Sequence, residues 1–322
     1  MEKSAGYITK NKIHKSAGDI VLKIFAVGFI GFIALICLYP LLMVLSGSLS
    51  DNFAISQRGF SVIPKTYSIE ELKDGLEPSV GISTDTYKYL FIEPESRRNI
   101  LVSYGVTVGI TVIGTLGAMI VTSMISFALS IKDLKYRNAI SFFCNFTIIF
   151  SAGLIPWYIV CRNWYHLGDT YAALILPSMF SVWNMFLLRT YFSSVPPSLY
   201  ESAKLDGANW YQIWWKIALP LNKTAMLTVG MMYTLAYWNE WWNALMFIDD
   251  RKKRPLQFIL YNVMAKITAV SSGKVPRGAN LVLPTETMKM AVTIITIGPI
   301  IFLYPFVQKY FVDGVMTGAV KE

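Results

Sequence analysis

Long apolar runs, separated by short polar connections, organise this chain. Residues 24–50 carry no charge, and neither do 99–131, 138–161 or 170–188. Residues 224–248 contain a single charge, Glu240, and residues 290–308 again contain none. Crossing about 30 Å of hydrocarbon takes about 20 mainly apolar residues in a helix. The pattern therefore predicts six spans, at about 24–48, 100–131, 138–161, 170–190, 222–248 and 288–309. Pro177 is expected to kink the fourth. A basic tail (1–23) precedes the membrane domain (24–310), and a short tail (311–322) follows it. Two long loops, at about 51–98 and 249–289, receive no role from their sequence.

Charge sets the orientation. Lys10, Lys12, Lys15 and Lys23 precede the first span, whereas Arg58 and Lys65 follow it. That bias predicts a cytoplasmic N-terminus, and six spans return the C-terminus to the same side. Summed over all loops, Lys and Arg divide almost evenly. Arg251, Lys252, Lys253 and Arg254 swell the outer count, and that run reads as a solvated charge cluster.

Composition agrees with a membrane protein. Of 322 residues, 54% are apolar without counting glycine, and 15% are Asp, Glu, Lys or Arg. A soluble domain has about 45–50% apolar residues with glycine included and about 25% charged. Too little polar surface remains to cover a water-soluble body, which argues against a soluble enzyme. The net charge of +9 sits between apolar runs, so it points to membrane topology and not to nucleic acid. Cys37, Cys144 and Cys161 lie in apolar stretches without metal-ligand spacing, and His14 and His166 cannot build a metal site by themselves. The first apolar run is too long for a cleavable signal peptide. H-E-x-x-H, G-x-S-x-G and the phosphate-binding G-x-x-x-x-G-K-[ST] are absent. No catalysis and no bound cofactor is expected; ATP would have to be handled by another chain.

Residues 196–223 stand out among the connections: PPSLYESAKLDGANWYQIWWKIALPLNK. Pro196 and Pro197 resist helix continuation, and Ser198 with Glu201 has capping-box spacing, so a short helix is expected from Ser198. Gly207 suits a helix stop. Ala203 keeps one face thin. Trp210, Tyr211, Trp214 and Trp215 then form an aromatic cluster suited to a membrane boundary, which Pro220 ends. A local reading of the same residues is also available. Glu201 would then be a capping partner, worth about 1 kcal/mol, and Gly207 only a stop.

Here the chain resembles the membrane-spanning permease subunits of bacterial ABC importers. Their signature is E-A-A, three residues, G, nine residues, I, one residue, L-P. Glu201, Ser202, Ala203, Gly207, Ile217, Leu219 and Pro220 match every spacing, with Ser202 replacing an alanine. Residues 153–158, 167–177, 188–208 and 304–322 further resemble the carbohydrate branch of that family, and within it the oligosaccharide permeases. The resemblance implies an all-α membrane protein with six transmembrane helices and a cytoplasmic coupling helix within 196–220, the type I importer permease fold. It also implies partners: cytoplasmic ATPase subunits carrying ATP and Mg, a second and different permease chain, an external solute-binding protein, and a sugar. A secondary transporter or channel is the competing class; internal repeats or several buried ionisable groups would favour it.

Trp238, Asn239, Glu240, Trp241 and Asn243 cluster near the end of the fifth run. A mid-membrane carboxylate costs about 2.5–3.5 kcal/mol, so Glu240 should face protein or water. Tryptophan faces beside amide and carboxylate groups suit a sugar. An aromatic belt with Glu240 reaching water explains the same residues. Asn184, in the fourth run, is a further candidate for the path, or simply a polar contact between helices.

Overall fold

The computed structural model describes residues 17–66, 79–92, 94–271 and 286–301. Most of the basic N-terminal tail and all of the predicted tail 311–322 lie outside these residues. Two compact units, Met1–Ser83 and Thr84–Glu322, divide the chain.

In the first unit, α1 (Ala17–Ser48) is a single helix that includes Pro40. Its charge-free stretch is as long as a bilayer requires, and side chains from 21 to 42 are exposed. The polar loop expected after it has structure of its own. Asp51 caps α2 (Asn52–Arg58) by accepting from Phe53 N at 2.7 Å. Two-residue strands β1 (Lys65–Thr66) and β2 (Ser79–Val80) pair antiparallel, with Lys65 opposite Val80. Ser50 Oγ accepts from Lys65 N at 3.2 Å, fastening the hairpin to the turn after α1.

The second unit opens with α3 (Asp85–Ile92) and α4 (Pro94–Ser130). The second predicted span is thus longer at its start than its charge-free run. The later helices are α5 (Arg137–Ile149), α6 (Leu154–Ile159), α7 (Tyr171–Ile175), α8 (Val182–Ser193), α9 (Pro197–Leu205), α10 (Trp210–Ile213), α11 (Lys223–Trp238), α12 (Trp242–Phe247), α13 (Leu256–Ser271) and α14 (286–301), most of them gathered about α4. Its principal neighbours are α8 and α11, and the core joins Ala118, Phe127, Leu188, Phe192, Val229 and Tyr237.

Small residues and polar contacts hold these helices, as expected where lipid removes the hydrophobic drive between helices. A Cβ on Gly114 would stand 2.7 Å from the Tyr237 ring, so that crossing needs glycine. Tyr233 Oη lies 2.7 Å from Thr122 Oγ1 and accepts from Ser181 N at 3.0 Å. Ser126 Oγ donates to Met185 O, and Tyr237 Oη to Ile175 O.

Several predicted spans are broken. α1 and α4 alone are long and apolar enough to cross a membrane as continuous helices among the described residues. In the third run, α5 and the helix Leu154–Trp164 meet at 114°, with Gly153 at φ +88° in the break. In the fourth, a 3₁₀ turn (Leu176–Ser178) contains Pro177, and the two halves are bent by 50°. The fifth is interrupted between Trp238 and Trp242. Of the sixth, 288–301 is described, and it is helical throughout.

Candidate functional site

The segment after α8 folds as a short helix, a turn and a second helix. The Ser198–Glu201 capping box is not formed. α9 instead starts one residue earlier, with Pro196 as its extended N-cap and no side-chain capping bond. Proline at the first helical position has its φ already set and no N–H to satisfy. Ser198 therefore lies inside the first turn, where its hydroxyl cannot cap. The helix ends in a Schellman motif. Gly207, at φ +85°, donates to Lys204 O at 3.0 Å, and Ala208 N donates to Ala203 O at 2.9 Å. A capping box does occur two residues later: Asn209 and Gln212 bond reciprocally at 2.9 Å and start α10. Its N-x-x-Q spacing was legible in the sequence.

α10 runs on through a π-turn (Trp214–Ala218) into Leu219–Leu221, where Pro220 supplies no N–H. The aromatic cluster divides: Trp214 is buried, whereas Trp210, Tyr211 and Trp215 are exposed. Ser202 and Ala203 from α9 meet Ile217 and Pro220 from the second helix across a groove of about 420 Å³. Leu219 and Ala203 pack against the core, and Glu201 is exposed. Ser202, Ala203, Ile217 and Pro220 thus share one groove, and Ala203 and Leu219 are packed on the core beneath it.

What fixes it is Phe127 of α4. Its ring meets Phe192, Tyr200 and Trp210 edge-on, with centroids 5.9, 5.7 and 6.2 Å away. Burial pushes the Tyr200 phenol up to about 12, so it stays neutral. Nothing in the sequence singled out Phe127, because one phenylalanine in an apolar run has no local signature.

Of the candidates near the end of the fifth run, Glu240 and Asn243 come together, whereas Trp238, Asn239 and Trp241 point elsewhere. Trp238 is buried and donates to Thr296 O of α14 at 3.1 Å. Asn239 is exposed and bonds back to Leu235 O. Trp241 stacks on Tyr261 at 4.8 Å. Glu240 is buried; its Oε1 accepts from Asn243 N at 2.7 Å and its Oε2 from Asn243 Nδ2 at 2.8 Å. The same amide donates to Ser178 Oγ at 3.2 Å, so the breaks in the fourth and fifth runs are joined by one polar cluster. Asn184 is buried in the first turn of α8, whose N-cap is Ser181.

At the other end of these helices, the basic run does more than face water. Lys253 donates to Asp169 Oδ2 at 2.9 Å and to Asp169 O at 2.7 Å, and Arg254 donates to Asp249 O at 3.0 Å. The Lys253 hydrogen bond and the Asp250 N–H hold the Asp169 carboxyl below its usual range, and the same contact raises Lys253. Among the described residues, no group of His, Cys, Asp and Glu could hold a metal ion.

Residues 135–317 match the family described as binding-protein-dependent transport system inner membrane component. The chain belongs to this family. Among other members, YtcP of Bacillus subtilis, a polygalacturonan/rhamnogalacturonan transport system permease protein, is 34% identical over 294 residues, covering 91% of this chain and 96% of its own. Protein LplC of the same organism is 33% identical over 311 residues, covering 96% and 98%. A crystal structure of a bacterial ABC transporter involved in the import of the acidic polysaccharide alginate matches with a TM-score of 0.73 and 29% identity, over 92% of this chain and 98% of that one. This inner membrane component is accordingly a permease subunit of the ABC type, mostly helical and multi-pass, in the cell membrane.

Proposed function

We propose that this chain is one of two permease subunits of an ATP-driven importer, and that it carries an oligosaccharide delivered by an external solute-binding protein. Both termini and the 197–221 segment face the cytoplasm in this reading, and the spans number six. ATP and Mg belong to separate ATPase subunits. The observation that carries the proposal is the groove in which Ser202 and Ala203 face Ile217 and Pro220. A rigid, exposed surface backed by the core of three helices suits a joint that receives force from a motor. Closure of the ATPases would move α9, and the packing of Tyr200, Ala203 and Leu219 would pass that movement to α4, α8 and α11. The spans would then exchange between outward- and inward-open arrangements, with populations shifted by ATP and by substrate only through their different affinities for the two.

A sugar cargo is supported by the names of the relatives, polygalacturonan/rhamnogalacturonan for one and alginate for the solved importer. Tagged chain should copurify with an ATPase and a second permease, and vesicles containing the complex should take up an oligosaccharide from a panel when supplied with binding protein and ATP. Uptake that follows an ion gradient and ignores ATP would overturn the reading.

A further inference from the structure

A second cavity, of about 480 Å³, lies between the end of α4 and the 204–214 segment. Its volume falls in the ~300–1,000 Å³ range of ligand pockets. Phe127, Ile131, Leu134, Tyr211 and Trp214 make its walls apolar, and Lys135, Lys204 and Asp133 complete the lining. We propose that this cavity holds an anionic phospholipid, its acyl chain along α4 and its headgroup at the two lysines.

Two observations favour a lipid. The wall reaches Met124, six residues before the end of α4, which at 1.5 Å per residue is about 9 Å along the helix. Met124 is 44% exposed there, at a depth where the neighbouring molecules of a spanning helix are lipid. Charge is graded along the cavity, apolar at that end and net positive where α4 has ended, with Lys135 and Lys204 outnumbering Asp133; Lys204 Nζ lies 3.8 Å from the Trp210 ring centroid, held at the lining. Basic pockets at the ends of spans recruit anionic headgroups.

The inference rests on reading α4 as a span with 197–221 at its boundary. The test is photolabelling of the whole complex in nanodiscs with phosphatidylglycerol or phosphatidylcholine carrying a diazirine acyl chain, followed by peptide mapping. Phosphatidylglycerol should label the cavity walls severalfold more than phosphatidylcholine. Lys135→Glu combined with Lys204→Glu, or separately Ala128→Phe to fill the space, should remove that preference. Labelling of α1, whose side chains from 21 to 42 are exposed, should stay unchanged. Equal labelling by the two lipids, or label insensitive to both variants, would overturn the proposal. So would label that appears only once the ATPases are stripped, since a protein segment would then fill the cavity in the complex. Loss of label on α1 and the cavity together would instead indict the membrane reading.

Discussion

Gly207 is the residue at which conformation and surface can be separated. Its φ of +85° closes the Schellman turn, and a Cβ added there meets no heavy atom within 4 Å. Most L-residues lose about 1–2 kcal/mol in this left-handed conformation, whereas Asn and Asp visit it more readily. Gly207→Asn and Gly207→Asp should therefore keep the turn and insert normally. Their side chains would project into space that the proposed ATPase occupies. Both variants should keep hydrolysing ATP while uptake falls by about tenfold, equivalent to about 1.4 kcal/mol. Normal uptake by either would leave Gly207 with a turn to make and no contact to spare. Because both residues suit the turn, a shared loss could not be blamed on the backbone.

At the scale of elements, the breaks matter more than the helices. Glu240 sits in the interruption between α11 and α12 and satisfies both the backbone N–H and the side-chain amide of Asn243. Removing one partner of a buried hydrogen bond costs about 1–3 kcal/mol, while removing both together costs much less. Glu240→Ala should lower the unfolding midpoint of the purified complex clearly. Glu240→Ala with Asn243→Leu should recover part of the loss, and Glu240→Gln should lie between. A Glu240→Ala complex as stable as the parent would show that the cluster contributes nothing. The sequence revealed the long helices α1 and α4 because apolarity simply adds along a run. The breaks at 150–153 and 239–241 were harder to place, since Gly153 and Asn239 are single breakers inside long apolar runs and neither has the fixed φ of a proline. The Pro177 break was legible because proline has a local mechanism. Of the adjacent letters 238–243, Glu240 and Asn243 stay paired, while the interruption turns Trp238 toward α14 and Trp241 toward Tyr261. Spacing rules likewise placed the Gly207 stop correctly and the Ser198 cap incorrectly, because the preceding prolines moved the helix start.

For the whole molecule, the proposed function raises the question of how a displacement at α9 would reach the spanning helices. Phe127 touches the end of α8 through Phe192, α9 through Tyr200 and α10 through Trp210. Such edge-on ring pairs are worth about 0.5–1.5 kcal/mol each beyond area burial. Phe127→Leu retains an apolar side chain while losing all three ring contacts, so the complex should still assemble. Phe127→Ala opens a void and should destabilise by about 3–5 kcal/mol, making it a test of packing more than of transmission. If force crosses at this ring, Phe127→Leu should hydrolyse ATP near the parental rate while transporting less substrate per ATP. The ratio of uptake to hydrolysis, measured on the same vesicles, isolates that effect from any change in the amount of complex. An unchanged ratio would mean that α9 moves the spans through the backbone connections to α8 and α11, with the aromatic hub serving stability alone.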